Sequence, residues 1–494
     1  MHSARRPVAA LAALLAFALS APLGACAKAR ADTAGDLWHD RQSSQPLVPA
    51  IAKAFPSLSP LVKQIRPAVV NVSTSQRIRH PWMGSTPFDQ FFGQFFGGQV
   101  PQQEVERQSL GSGFFIDDRG YLLTNNHVIE GADVIRIKLA DGREFPAKVI
   151  GADPKTDLAL VRVQAKGEHD FPFLYLGDSD ALEVGDWVIA IGDPFGLELS
   201  VTHGIVSAKE RTIGAGPYDD FIQSDALINP GNSGGPLFDM DGAVIGINTA
   251  ITSKGQGIGF AVPINMAKQL LPQLERGHIV RGWLGVAIQP LSQNLAKSLG
   301  LPNTNGALVA DVVKGGPAAR GGLEQGDVVV SLNGKPVATP PELTRAVAAL
   351  PPGSRATLGL VRNGKSVTQQ IEIGRRPEEA GQEGQEPGEE RQGRQEEAKP
   401  DALGLTVRPL GPDEAAAMGL PQGRGGVQVT RVGEGSPAQD AGIAPGDVVL
   451  EVNRRPVRSV KDYRAALRAT RPGELALLRV QRKNESIFFA VKAK

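Results

Sequence analysis

Apolar and polar positions change places in short runs along most of the chain. Residues 134–139 and 144–150 alternate with a period of two, and residues 158–163 and Trp187-Val188-Ile189-Ala190-Ile191 are apolar runs of strand length. These are the signatures of half-buried and fully buried strands. Gly113-Phe114-Phe115-Ile116, the turn Asp117-Asp118-Arg119-Gly120 and Tyr121-Leu122-Leu123-Thr124 read as a hairpin. Further strand patterns fall at 68–73, 202–207, 221–225, 236–238, 243–248 and 258–261, and helical ones at 61–67 and 266–274. Strands so closely spaced, with glycine-rich turns between them, predict an all-β body over 62–275 that suits two small barrels packed together.

Beyond it the pattern repeats. Gly316-Pro317-Ala318-Ala319 and Gly322-Leu323-Glu324-Gln325-Gly326-Asp327-Val328-Val329 return as Ser436-Pro437-Ala438-Gln439 and Gly442-Ile443-Ala444-Pro445-Gly446-Asp447-Val448-Val449, and Asn333 and Pro352-Gly353 return in step as Asn453 and Pro472-Gly473. One module is therefore present twice, over 280–374 and 401–494. Residues 375–400 between them are dense in Glu, Gln, Gly and Arg, cannot bury a core, and are expected to be a charged flexible linker.

At the start, Arg5 and Arg6 precede an apolar run over 8–19 and then small residues, the order of a secretory signal ending at residue 31. Cleavage after Ala29-Arg30-Ala31 stands beside cleavage before Cys26, because Leu23-Gly24-Ala25-Cys26 resembles a bacterial lipoprotein box and holds the chain's single cysteine. Export is expected on either route, with a lipid anchor through Cys26 on the second. A mixed segment, 32–61, leads into the folded body. Phe88, Phe91, Phe92, Phe95 and Phe96 lie in a Pro, Gln and Gly-rich stretch that reads as a long loop, either disordered or docking on another subunit.

Composition narrows the partners. With 494 residues, 41% hydrophobic, 21% charged and a net charge of +1, the chain is long enough for about three domains and gives no electrostatic case for nucleic acid.

The candidate chemistry lies in Asn229-Pro230-Gly231-Asn232-Ser233-Gly234-Gly235-Pro236. By itself it reads as a hairpin turn, yet three glycines around one serine also supply the free backbone N–H groups that acyl transfer needs. A serine nucleophile requires a base and an acid that orients the base. His127 closes one strand pattern, Asp157 stands at the mouth of another, and both precede Ser233, giving the order His, Asp, Ser of chymotrypsin-like enzymes. Alone, each would be a hydrogen-bonded structural residue. Gly231-Asn232-Ser233-Gly234-Gly235 also fits the letters of a nucleophile elbow, but Pro236 and a strand pattern stand where that motif needs a helix.

Thr124-Asn125-Asn126-His127-Val128, Asp153-Pro154-Lys155-Thr156-Asp157-Leu158-Ala159 and the block at Ser233 resemble the three catalytic blocks of the HtrA (Do-like) serine proteases, and the two repeats resemble PDZ domains. The resemblance implies a mostly β chain, a chymotrypsin-like double β-barrel followed by two PDZ domains. It implies His127 as general base, Asp157 as its partner, Ser233 as nucleophile, and an oxyanion hole from the backbone of Gly231 and Ser233, with Asn232. It further implies an ATP-independent endopeptidase of the periplasm, needing no metal or cofactor, that degrades unfolded proteins as a trimer or a multiple of trimers.

Ala226-Leu227-Ile228 precedes the nucleophile where such enzymes place the floor of the specificity pocket, and Leu227 and Ile228 either belong to the core or, lacking a carboxylate, favour small aliphatic substrate residues. By resemblance, residues 249–257 form the other wall and residues 209–220 relay activation. Trp283, Leu284, Gly285 and Val286 in the first module, and Leu403, Gly404 and Leu405 in the second, match the loop that binds hydrophobic C-terminal peptides. The rival expectation is a holdase chaperone whose protease is idle.

Overall fold

The computed structural model describes residues 57–77, 106–165, 167, 170–193, 199–251, 257–377, 400–420 and 425–494. The expected signal with Cys26, the phenylalanine-rich stretch and most of the charged linker lie outside them.

Six strands close the first barrel: β1 Val69–Arg77, β2 Glu106–Phe115, β3 Tyr121–Thr124, β4 Val134–Lys138, β5 Glu144–Asp153 and β6 Leu158–Val163, joined in the order β1-β2-β3-β6-β5-β4. Its core is what the alternation dictates, with Val70, Val72, Phe115, Leu122, Ile135, Ile137, Ala159 and Val161 buried inside. A second closed barrel follows from β7 Trp187–Gly192, β8 Ser200–Arg211, β9 Phe221–Ser224, β10 Pro236–Phe238, β11 Val244–Ile251 and β12 Gly259–Pro263, in the order β10-β11-β12-β9-β8-β7. Closure leaves neither barrel an unpaired edge.

The helix Ile264–Leu274 ends against the first barrel, where the register of β5 shifts between Val149 and Gly151. A side chain at Gly151 would place its Cβ 2.1 Å from Leu274 O, so the close approach requires glycine.

His127 departs from its expected setting at a strand end. It sits in a one-turn helix, Asn126–Ile129, entered from an extended Asn125. Two apolar residues, Val128 and Ile129, are too few to display a helical period, and both are buried.

The repeats fold alike. The first is a sheet in the order β14-β15-β16-β18-β19, from β14 Val286–Gln289, β15 Ala307–Val312, β16 Val328–Leu332, β18 Arg355–Arg362 and β19 Lys365–Glu372; β17 Lys335–Pro336 pairs with β16. A two-stranded ribbon, β13 Gly282–Trp283 with β20 Gly374–Arg375, joins the ends of this module. The second repeats it as β21 Leu405–Pro409, β22 Val427–Val432, β23 Val448–Val452, β25 Leu475–Arg482 and β26 Glu485–Lys492, with β24 Arg455–Pro456 on β23. Strands β14 and β21 each stand at a sheet edge, open to an added strand. Helices Pro340–Ala348 and Val460–Arg468 occupy equivalent places and are N-capped by the hydroxyls of Thr339 and Ser459.

Both modules also share an apolar seam. Leu291, Leu295 and Leu299 of the first cluster with Leu477, Phe488 and Ala490 of the second. The Gln289 amide donates to Phe488 O (3.0 Å) and accepts from Phe488 N–H (2.8 Å), pairing with the outer edge of β26 as a strand would.

Candidate active site

Asp157 stands in the tight turn between β5 and β6 with φ +56°, a left-handed conformation that aspartate tolerates better than most residues. There its main-chain oxygen accepts from Asn126 N–H (3.2 Å) and Asn125 Nδ2 (2.9 Å), tying the Asp157 loop to the helix that bears His127. Its carboxylate receives three donors. Oδ1 accepts from His127 N–H at 2.9 Å, while Oδ2 lies 2.7 Å from His127 Nδ1 and 2.6 Å from Thr249 Oγ1. Buried to 5% exposure, this carboxylate meets the requirement that a buried charge be paired and hydrogen-bonded. The arrangement places the Nδ1 proton toward Asp157 and leaves Nε2 to act as an acceptor. The Ser233 hydroxyl donates to Thr249 O at 3.2 Å, so one residue of β11 touches both Asp157 and Ser233.

The serine loop begins with a turn. Asn232 N–H donates to Asn229 O at 2.9 Å, Pro230 occupies the second position, and Gly231 has φ +100° at the third. Proline cannot take positive φ, so the turn is type II, which requires such a glycine. Gly234 N–H then donates to Asn248 O (2.8 Å) and Gly235 N–H to Asn232 O (3.0 Å). Among the described residues, that leaves the N–H groups of Gly231 and Ser233 without acceptors. Two backbone donors flank the hydroxyl, as an oxyanion requires. The expectation that Asn232 adds a third donor is corrected: its N–H is consumed by the turn.

Leu227 and Ile228 part company. Leu227 is 56% exposed, whereas Ile228 is buried, its Cδ1 lying 2.7 Å from the place a Cβ would take on Gly259 of β12. Most of the expected opposite wall, 252–256, lies outside the described residues.

The 209–220 loop is ordered by Asp219, whose Oδ2 accepts from the N–H groups of Ile213, Gly214 and Ala215 (2.9, 2.7 and 3.0 Å). The first PDZ module grips this loop. Arg345, on the helix Pro340–Ala348, donates to Asp219 O (2.8 Å) and lies 3.2 Å from the Asp220 carboxylate, whose pKa burial pushes up against the opposing pull of Arg345. Arg281 and Arg376, side by side at one end of the β13–β20 ribbon, both lie over the Tyr218 ring, and Arg376 donates to its hydroxyl at 2.8 Å. Arg281 also forms a buried ion pair with Asp153, four residues before Asp157.

The two peptide loops differ. In the first, Leu284 and Gly285 have N–H groups without acceptors among the described residues, beside the edge strand β14. In the second, Asp401 occupies every donor: Oδ1 accepts from the N–H groups of Leu403 (2.9 Å) and Leu405 (3.0 Å), and its main-chain O accepts from Gly404 N–H (2.9 Å). Tyr463 of the helix Val460–Arg468 donates to Asp401 Oδ2 at 2.6 Å, closing the loop from the other side. The expectation that Leu403, Gly404 and Leu405 cradle a peptide carboxylate is corrected, because the chain's own carboxylate fills the cradle.

The folded chain carries the marks of a trypsin-like serine peptidase with appended PDZ modules. Residues 111–247 match the trypsin-like peptidase domain, and residues 282–373 and 428–482 each match a PDZ domain. A protein described as a probable periplasmic serine endoprotease DegP-like from Pseudomonas fulva is 42% identical over 461 residues, covering 89% of this chain and 94% of that relative. One so described from Chlamydia muridarum is 41% identical over 475 residues, 92% of this chain and 91% of the relative. The HtrA-type protease AlgW, solved with a decapeptide, is 41% identical with TM-score 0.54 and covers 66% of this chain and all of its own; with a tripeptide the values are 42%, 0.55, 66% and 99%. The chain belongs to the DegP-like, HtrA-type serine endoproteases. It is a serine endopeptidase, and the holdase with an idle protease is not favoured.

Proposed function

We propose that Ser233, His127 and Asp157 are the nucleophile, general base and orienting acid of this endopeptidase. The observation that carries the roles is the Asp157 carboxylate, bonded at once to His127 and Thr249 beside a serine flanked by two unclaimed N–H groups.

Ser233 Oγ attacks the scissile carbonyl carbon as its proton passes to His127 Nε2. The carbonyl oxygen becomes an oxyanion held by the Gly231 and Ser233 N–H groups. Collapse breaks the C–N bond, His127 returns the proton to the leaving amine, and an acyl group remains on Ser233. Water, deprotonated by His127, repeats the sequence and releases the acid. Asp157 holds the imidazole and balances its charge when protonated.

Unfolded exported polypeptides are the proposed substrates, cleaved after small aliphatic residues with Ile228 lining the pocket. Peptides with hydrophobic C-termini are the proposed ligands of the first PDZ module, and the contacts of Arg281, Arg345 and Arg376 with residues 218–220 are the proposed route from that module to the protease. The proposed domain limits are 62–275, from the spacing of the strand patterns, and 280–374 and 401–494, from the repeat. Assembly as a trimer or a multiple of trimers is proposed from the resemblance to HtrA proteases alone, and the periplasm as location is supported by the descriptions of the relatives. Processing after Ala31 gives a free chain and processing before Cys26 a lipid-anchored one, and the mass of the mature N-terminus separates them.

A fluorophosphonate probe with peptide mapping tests the nucleophile. Label on Ser233, absent from Ser233→Ala and reduced in His127→Ala, is expected; label on another residue would refute the assignment.

A further inference from the structure

The two N–H groups beside Ser233 are open because their neighbours are pinned, and much of the pinning comes from one residue of the other barrel. Ser112, on β2 and fully buried, donates its N–H to Ser233 O at 2.8 Å and its hydroxyl to Gly231 O at 2.6 Å. The same Oγ accepts from Asp193 N–H at 2.8 Å, and Ser112 O accepts from Thr124 Oγ1 at 2.7 Å. Asp193 is in turn bonded through Oδ2 to Asn71 Nδ2 of β1 at 2.9 Å.

The plane between Gly231 and Asn232 is fixed at both ends, its carbonyl by Ser112 Oγ and its N–H by Asn229 O. The plane between Ser233 and Gly234 is also fixed at both ends, its carbonyl by Ser112 N–H and its N–H by Asn248 O. Each plane that carries an oxyanion donor therefore lies next to a plane held rigid by Ser112. A peptide plane turns only about its flanking φ and ψ, so fixing alternate planes restricts the ones between. Preorganisation of this kind is what makes an oxyanion hole effective, since the donors need not reorganise as charge develops. Space at the contact is tight as well: a Cβ on Gly234 would lie 2.1 Å from Ser112 O, and one on Gly235 would lie 3.2 Å from Ser112 Cβ.

We propose that the Ser112 hydroxyl is a positioning residue for the oxyanion hole, acting through Gly231 O. It touches no substrate. The proposal rests on the reading of Ser233 as the nucleophile.

Ser112→Ala, in the full-length protein, keeps the main-chain bond to Ser233 and deletes only the hydroxyl. The expected result is a kcat lower by roughly 10- to 100-fold with KM little changed, less than the loss on deleting an oxyanion donor outright. Affinity for a peptide boronate, whose tetrahedral adduct uses the hole, should fall in parallel. Affinity for an uncleaved substrate peptide, measured in the Ser233→Ala background, should not. A merely structural role would lower all three with the melting temperature. If Ser112→Ala is unfolded at the assay temperature, Ser112→Cys keeps a weaker donor and should give an intermediate kcat with the same pattern. Wild-type kcat and boronate affinity in either folded variant would overturn the proposal. Persisting cleavage by Ser233→Ala would instead strike the nucleophile assignment beneath it.

Discussion

Thr249 Oγ1 lies 2.6 Å from Asp157 Oδ2, a bond from the second barrel to the acid of the first across 92 residues of sequence. It makes the orientation of His127 depend on how the two barrels meet. A hydrogen bond to a charged group is worth about 1.5–3 kcal/mol. Thr249→Val should therefore lower kcat by roughly 10- to 100-fold with KM nearly unchanged, in steady-state cleavage of a short peptide. An unchanged kcat would mean that the carboxylate is held well enough without it.

The Arg281–Asp153 pair joins the ribbon at the base of the first PDZ module to the loop of Asp157, and both side chains are almost fully buried. Removing one member strands the other. Arg281→Ala should destabilise the protein by about 3–5 kcal/mol, and adding Asp153→Asn should recover much of that. Denaturant midpoints on the single and double variants check it; additive losses would contradict it.

Burial raises the Asp220 carboxyl, so the folded state holds that proton more tightly than the unfolded chain does. Stability from this group is therefore present at acid pH and is lost as pH climbs from the ordinary carboxylate range through the raised value. Asp220→Asn should melt at or above the wild-type temperature near neutral pH and lose that advantage in acid. Arg345→Ala, which leaves the carboxylate without its cation, should melt lower near neutral pH. Melting curves at about pH 7 and about pH 4 decide both signs.

The two PDZ loops should behave differently toward peptides. In the Ser233→Ala chain, a hydrophobic peptide with a free C-terminus should bind one site per chain, and its C-terminal amide should bind weakly. Gly285 has φ +74° with Trp283 packed 3.0 Å from its Cβ position, so Gly285→Ala should remove most of the affinity. Calorimetric stoichiometry of two, or binding that survives Gly285→Ala, would contradict this.

The differences trace to particular residues. His127, Asp157 and Ser233 were legible because each lies in a distinctive block and the blocks keep a telling order. Thr249 and Ser112 were not, because their partners are far away in sequence and no local pattern marks them. Both hydroxyls are fully buried and so need partners, but the burial of a single Ser or Thr is a property of the fold and not of its local sequence. The barrels followed from alternation, while the short helix at His127 lay below the length at which a period shows. The second peptide loop misled through its Leu-Gly-Leu letters. Asp401-Ala402-Leu403-Gly404 has the spacing of Asp117-Asp118-Arg119-Gly120 and Asp239-Met240-Asp241-Gly242, where the leading carboxylate likewise accepts from the N–H groups two and four residues on. That turn chemistry was present in the sequence and outweighs the resemblance.

The most direct test is cleavage of unfolded casein by the full-length protein, wild type beside Ser233→Ala, with circular dichroism on both. Wild type should cut into peptides, and the variant should be folded and inert. Cleavage by a folded Ser233→Ala chain would contradict the assignment of this serine, and with it the account of the site.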